Sequence, residues 1–109
     1  MNLIYPVTLK PYASGQVGAR FVDVPEAITA GASEAAALAA AEDALIVALS
    51  GYVDAGRALP RASKAAAGQA VVALPARIAL KFAIHVAMRQ AGMTQAQLAA
   101  RLGIDARQV

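Results

Sequence analysis

The period of the apolar residues changes near Ser33, and that change constrains the fold more than any other feature of the chain. Before it, Leu3, Tyr5, Val7 and Leu9 alternate with Ile4, Pro6 and Thr8, the two-residue repeat of a strand. Val17, Ala19 and Phe21 repeat that spacing with Arg20 on the other face, so residues 17–22 predict a second strand after the turn at Ala13, Ser14, Gly15 and Gln16. Asp23, Val24, Pro25 and Glu26 break it, and residues 27–30 suffice for a short third strand before Gly31. Pro6 has no amide donor, which points to an edge position or a bulge in the first strand.

After Ser33 the repeat is helical. Ser33 predicts an N-cap, and Glu34 puts a negative charge in the first turn, where the helix dipole favours it. Leu38, Leu45, Leu49, Tyr52 and Val53 form one stripe, Asp43, Ser50 and Asp54 lie opposite, and Gly56 ends the helix. Residues 57–68 read as a loop and 70–74 as a last short strand stopped by Pro75. Ile78, Phe82 and His85 or Val86 then mark a helix over 78–90. The expected class is α+β: a β-β-β-α-β domain over 1–75, followed by an all-α domain over 76–109.

Residues 93–109 spell a helix, a glycine turn and the start of another helix, the pattern of a helix-turn-helix DNA reader. Leu98, Ala99 and Leu102 make the inner stripe of its first helix, Gly103 permits the left-handed turn, Ile104 plugs the core and Asp105 caps the recognition helix. By similarity to the phage-repressor type of this motif, Thr94 and Gln95 bond phosphates, and Ala106, Arg107 and Gln108 open the recognition helix. Arg107 is the candidate base contact, because a guanidinium can bind guanine O6 and N7 together; Arg89 and Arg101 are candidates for phosphate. A recognition helix needs more than residues 106–109, so the chain is expected to be part of a longer one.

Charge divides in the same sense. Residues 1–56 hold Lys10 and Arg20 against Asp23, Glu26, Glu34, Glu42, Asp43 and Asp54. Residues 57–109 hold Arg57, Arg61, Lys64, Arg77, Lys81, Arg89, Arg101 and Arg107 against Asp105 alone, and the whole chain carries +3. An acidic front and a basic back predict two modules with different partners. Alanine supplies much of the 59% apolar content, so each element brings a thin apolar face, and a homodimer or higher oligomer is expected. The absence of cysteine excludes disulfides and fits a reducing cytosol. The N-terminus lacks the basic region and long apolar core of a signal peptide. The alanine-rich run 35–41 is shorter than the about 20 apolar residues that a bilayer requires, so no membrane partner is expected.

Phe21-Val22-Asp23-Val24-Pro25-Glu26-Ala27-Ile28-Thr29-Ala30-Gly31, then Ser33-Glu34-Ala35 and Ala41-Glu42-Asp43-Ala44-Leu45, resembles the front domain of HicB antitoxins. Leu59-Pro60 with Ser63, and Val72-Ala73-Leu74-Pro75, stand where that family has its loop and final strand, and an appended helix-turn-helix occurs in one branch. The resemblance implies a partial RNase H-like front domain that binds and neutralises a HicA-type mRNA-cleaving toxin, and a back domain that represses the shared operon. On that view Asp23, Pro25, Glu26 and Glu34 are the candidate toxin-binding residues, with Asp23 and Pro25 also able to shape their own turn. An acidic module suits the basic surface of an RNA-binding toxin, and a basic helical module suits DNA. The competing reading is a stand-alone transcriptional regulator whose front domain senses a ligand or dimerises.

Catalysis is not expected. RNase H-type nucleases hold metal ions with carboxylates that begin on the opening strand, and here no acid precedes Asp23. His85 is the only histidine and has no ligand set around it in sequence, so it reads as a half-buried packing residue. Tyr5 and Tyr12 could stack on bases, but in an acidic module they read as core and loop-anchor residues. No metal and no cofactor is implied.

Overall fold

A computed structural model describes residues 3–103, with the side chains of Gln95 and Leu102 left aside. The element order is β1 (Ile4–Pro11), β2 (Val17–Arg20), β3 (Ile28–Gly31), α1 (Glu34–Asp54), β4 (Ala70–Ala73), α2 (Ala76–Ala91) and α3 (Gln95–Leu102). This is a mixed α+β chain, and it divides into two compact units, Met1–Leu74 and Pro75–Val109.

In the first unit four antiparallel strands form one sheet in the order β3-β2-β1-β4. Register puts Leu9, Ala19 and Thr29 side by side, and Tyr5 beside Val72, on the face that α1 covers. Thr8, Arg20 and Ile28 line up on the opposite face, next to the row Lys10, Gly18 and Ala30. The core under α1 is Tyr5, Val7, Ala19, Phe21, Val24 and Ala27 against Ala37, Ala41, Leu45 and Leu49.

Three expectations need correction. Pro6 points to an edge position or a bulge, yet β1 lies between β2 and β4. The two partners divide it: β4 pairs with residues 4–7 and β2 with residues 8–11, so Pro6 occupies a stretch that only one neighbour pairs with. Next, the apolar stripe of α1 includes Leu38, Tyr52 and Val53, but these are only half-buried, whereas Ala37 and Ala41 are fully covered. Gly31 explains why: a Cβ there would lie 2.4 Å from the Ala37 amide nitrogen, so β3 and α1 meet backbone to backbone and only small residues fit. Finally, the run 35–41 is too short for a bilayer by itself, but the helix continues to Asp54 and is long and apolar enough to cross one by length and composition alone. Its fully covered line Ala37, Ala41, Leu45 and Leu49 packs on the sheet instead, as the core helix of a two-layer domain does.

Segment ends also shift slightly. The second strand stops at Arg20, leaving Val22 exposed, and the third runs Ile28–Gly31. Ser33 caps α1 as expected, its hydroxyl accepting from the Ala36 amide at 3.1 Å.

In the second unit α2 follows Pro75 and ends at Gly92, whose φ of 66° closes the helix with amide bonds back to Met88 and Arg89. Phe82 is buried, and Ile78, His85 and Val86 are half-buried, on the face that the spacing implied. Helix α3 opens with a full capping box: Thr94 Oγ1 accepts from the Gln97 amide, and Gln97 Oε1 accepts from the Thr94 amide. Gly103 closes it at φ 69°.

Candidate functional site

The loop joining β2 to β3 presents three of the four candidate toxin-binding residues together. Phe21, Val24 and Ala27 turn inward and are buried, while their backbones bond one another: Val24 donates to Phe21, Ala27 to Val24, and Phe21 to Ala27. This compact loop leaves Pro25 and Glu26 exposed and Asp23 half-buried. Glu34 is not with them. It sits at the far end of β3, on the first turn of α1, beside a separate cavity bordered by Leu9, Val17 and Gln69.

Asp23 does not serve its own turn. Its carboxylate accepts from the Ser63 amide at 2.8 Å and from the Ser63 hydroxyl, in a loop forty positions later in the chain. The same loop is held a second time where the Tyr5 hydroxyl donates to the Pro60 carbonyl at 2.7 Å. Burial, and then the charge of Asp23, push the Tyr5 phenol above its ordinary range. Residues 57–68 are thus a strap fastened to the sheet end of the unit, with no regular structure over 57–66.

Glu26 has a partner that sequence reasoning missed. Tyr52, near the end of α1, donates its hydroxyl to both carboxylate oxygens, at 2.8 and 3.0 Å. Arg57 lies 4.5 Å from the centre of the Tyr52 ring, within the range of a cation–π contact. The Tyr52 hydroxyl, then the residue's own backbone amide and the charge of Arg57, hold the Glu26 carboxyl below the usual carboxylate range. The same bond pushes the Tyr52 phenol up. No local motif announces the pair, because Tyr52 reads as part of the apolar stripe and the helix turns its hydroxyl back to the loop only in three dimensions.

Tyr5 is a core residue, as expected, and Tyr12 anchors its turn through backbone bonds to Gln16 and Gly15. The Tyr12 ring also covers Gly18, where a Cβ would stand 2.7 Å from Cε2. Glu42 is half-buried and Asp43 exposed on α1. Among the described residues no group of three His, Cys, Asp or Glu side chains could hold a metal ion.

In the second unit Thr94 is the cap of α3, and Arg101 is exposed on its last turn. Ala99 is buried and Leu98 half-buried. The Gln95 side chain, and Ala106, Arg107 and Gln108 with Ile104 and Asp105, lie outside the described residues.

Residues 4–83 match the family described as HicB-like antitoxins of bacterial toxin–antitoxin systems. Antitoxin HicB of Escherichia coli (strain K12) is 37% identical over 99 residues, covering 91% of this chain and 72% of that protein. The chain belongs to the HicB-like antitoxin family. Antitoxin HicB 1 of Photorhabdus laumondii is 36% identical over 108 residues, 99% of this chain and 68% of the relative. Antitoxin HicB 2 of the same organism is 38% identical over 102 residues, 94% of this chain and 71% of the relative. The family match spans the whole sheet, α1 and the first half of α2, and so includes both the loop bearing Asp23, Pro25 and Glu26 and the strap that fastens to it. Membership makes this protein an antitoxin, one member of a toxin–antitoxin pair.

Proposed function

We propose that the first unit binds and neutralises a HicA-type mRNA-cleaving toxin, and that the second represses the operon encoding both through a helix-turn-helix. The observation that carries this reading is antitoxin kinship over nearly the whole chain, 91% of it against the Escherichia coli relative. The toxin-binding residues are Asp23, Pro25, Glu26 and Glu34, with Asp23 also fastening the loop at Ser63. Their excess negative charge answers the cationic surface that an RNA-cleaving enzyme needs for its own substrate. The protein works by occupation and not by catalysis. Its first unit is a partial RNase H-like fold, and it acts as a dimer or larger oligomer.

In the second unit α3 is the first helix of the motif, and Gly103 makes the turn that a DNA reader requires. Thr94 and Gln95 meet the phosphates at the helix start, and Arg101 adds a phosphate contact. Ala106, Arg107 and Gln108 open the recognition helix, with Arg107 on a guanine.

Co-expression with the toxin of its own pair tests the first half. The expected outcome is a stable complex in which RNA cleavage stops; a toxin that still cuts RNA with the antitoxin in excess refutes it. For the second half, Arg107→Ala in the operator-binding form should cost about 1–3 kcal/mol on the operator and little on random DNA. Equal loss on both sequences would make Arg107 a phosphate contact only.

A further inference from the structure

Strand β3 ends the sheet: β2 pairs with one of its edges, and among the described residues no strand pairs with the other. An unpaired edge is a template for another chain, and proteins usually blunt it with a charge, a proline or a covering loop. Here β3 is short, four residues, and its far end is pressed against α1, but beside Ile28 an apolar groove is left open. This groove of about 540 Å3 runs along β3 and α1, lined by Ile28, Ala44, Val47 and Ala48 together with Glu26 and Asp43. Ile28 is 69% exposed and Val47 73%, the two highest values among the exposed large apolar side chains. Ala40, Ala44, Val47 and Ala48 follow the i, i+4, i+7, i+8 spacing of a single helix stripe, next to the stripe that packs on the sheet. The helix therefore carries two apolar faces, and only one of them is used inside the unit.

We infer that this groove and the free edge of β3 are where the toxin docks, through an extended segment of its chain that adds a strand to the sheet and carries basic side chains around apolar ones. Backbone pairing along β3 supplies affinity without regard to sequence, and the groove supplies selectivity. Val47, with Ala44 and Ala48, takes an apolar side chain on the α1 face of the added strand and Ile28 takes one on the opposite face, while Glu26 and Asp43 receive the basic ones. Glu26 arrives ready for this role, because Tyr52 already fixes its carboxylate and keeps it ionised to lower pH. A second copy of this chain fits less well. A two-fold contact uses the same patch on both partners, so it doubles Glu26 and Asp43 and sets against them only the Arg57 beside each Glu26. The inference rests on the proposed neutralisation of a toxin and adds the surface and the mode of contact. It also adds Asp43 to the acidic contacts, Glu34 lying at the other end of β3.

The test uses the full antitoxin and the toxin of its own pair as a catalytically inactive variant. Ile28→Lys and Val47→Lys alter side chains that are mostly in water, so the fold should survive, which circular dichroism and a thermal melt will check. The double variant should bind the toxin at least about tenfold more weakly, since each lysine removes an apolar contact and repels a cationic strand. In the wild-type complex, hydrogen exchange at backbone amides of β3 should slow relative to the free antitoxin. That second measurement needs no substitution, and so decides the matter even if a variant fails to fold. Unchanged affinity with unchanged exchange in β3 overturns the docking surface while leaving neutralisation intact. A variant that keeps toxin binding but loses self-association shows that a second copy fills the groove, which also overturns it. If the wild-type protein binds no toxin at all, the proposed function itself falls.

Discussion

At the scale of single residues, the front loop is organised by two carboxylates that find their partners far along the chain. Asp23 ties down Ser63, and Glu26 receives the Tyr52 hydroxyl. Both bonds work on exposed or half-exposed atoms, so their value lies in fixing geometry more than in global stability. The pH dependence of the second bond has a definite sign. Glu26 has its folded pKa depressed, so its contribution is present above the unfolded carboxylate value and fades as pH falls through the folded one. Tyr52 has its folded pKa raised, so its contribution is complete below the unfolded phenol value and fades as pH rises through the folded one. Tyr52→Phe should therefore flatten both the acid and the alkaline limbs of a stability curve measured by chemical denaturation at a series of pH values. Limbs identical to those of the wild type would mean that the bond is not maintained in solution.

At the scale of elements, the contact of β3 with α1 is the tightest in the first unit. Gly31 meets Ala37 at backbone distance, and Ala41 continues the close line. Alanine content looked like a weakness in a helix face, because each side chain buries little area. Here it is what allows a helix to lie directly on an edge strand, with Leu45 and Leu49 buried further along the same face of the helix. Gly31→Ala would place a methyl group against the Ala37 amide, and α1 would have to lift. Overpacking of this kind costs about 1–3 kcal/mol, read as a lower denaturation midpoint with unchanged slope. A neutral substitution there would show that the helix can shift freely on the sheet.

At the scale of the whole molecule, acidic residues dominate the first 56 positions and basic ones the remainder. The two compact units divide the chain at Leu74 and Pro75, and each is expected to serve one partner. Glu26→Lys should weaken toxin binding, most at low salt, and leave operator affinity unchanged. Arg101→Ala should do the reverse and reduce the salt dependence of DNA binding by about one phosphate contact. Titrations of both variants against both partners at two salt concentrations would decide it. A substitution that weakens both partners equally would argue against a division of labour.

Sequence alone determined the kinds of element, their order and the kinship. Alternation, helical spacing, an N-cap serine and terminal glycines act over a few residues, so they are legible without knowing what lies opposite in space. The Phe21 to Gly31 motif identified the family because a tight loop demands particular residues at adjacent positions. What lies across the fold could not be read in this way. The place of β1 at the centre of the sheet, the Ser63 and Tyr52 partners of the front loop, and the choice of Ala37 over Leu38 as the covered residue all depend on which backbones meet. So does the bare edge of β3. Local periodicity tells a side chain which way to face, but only the assembled layers decide which faces remain uncovered, and those are the ones a partner can use.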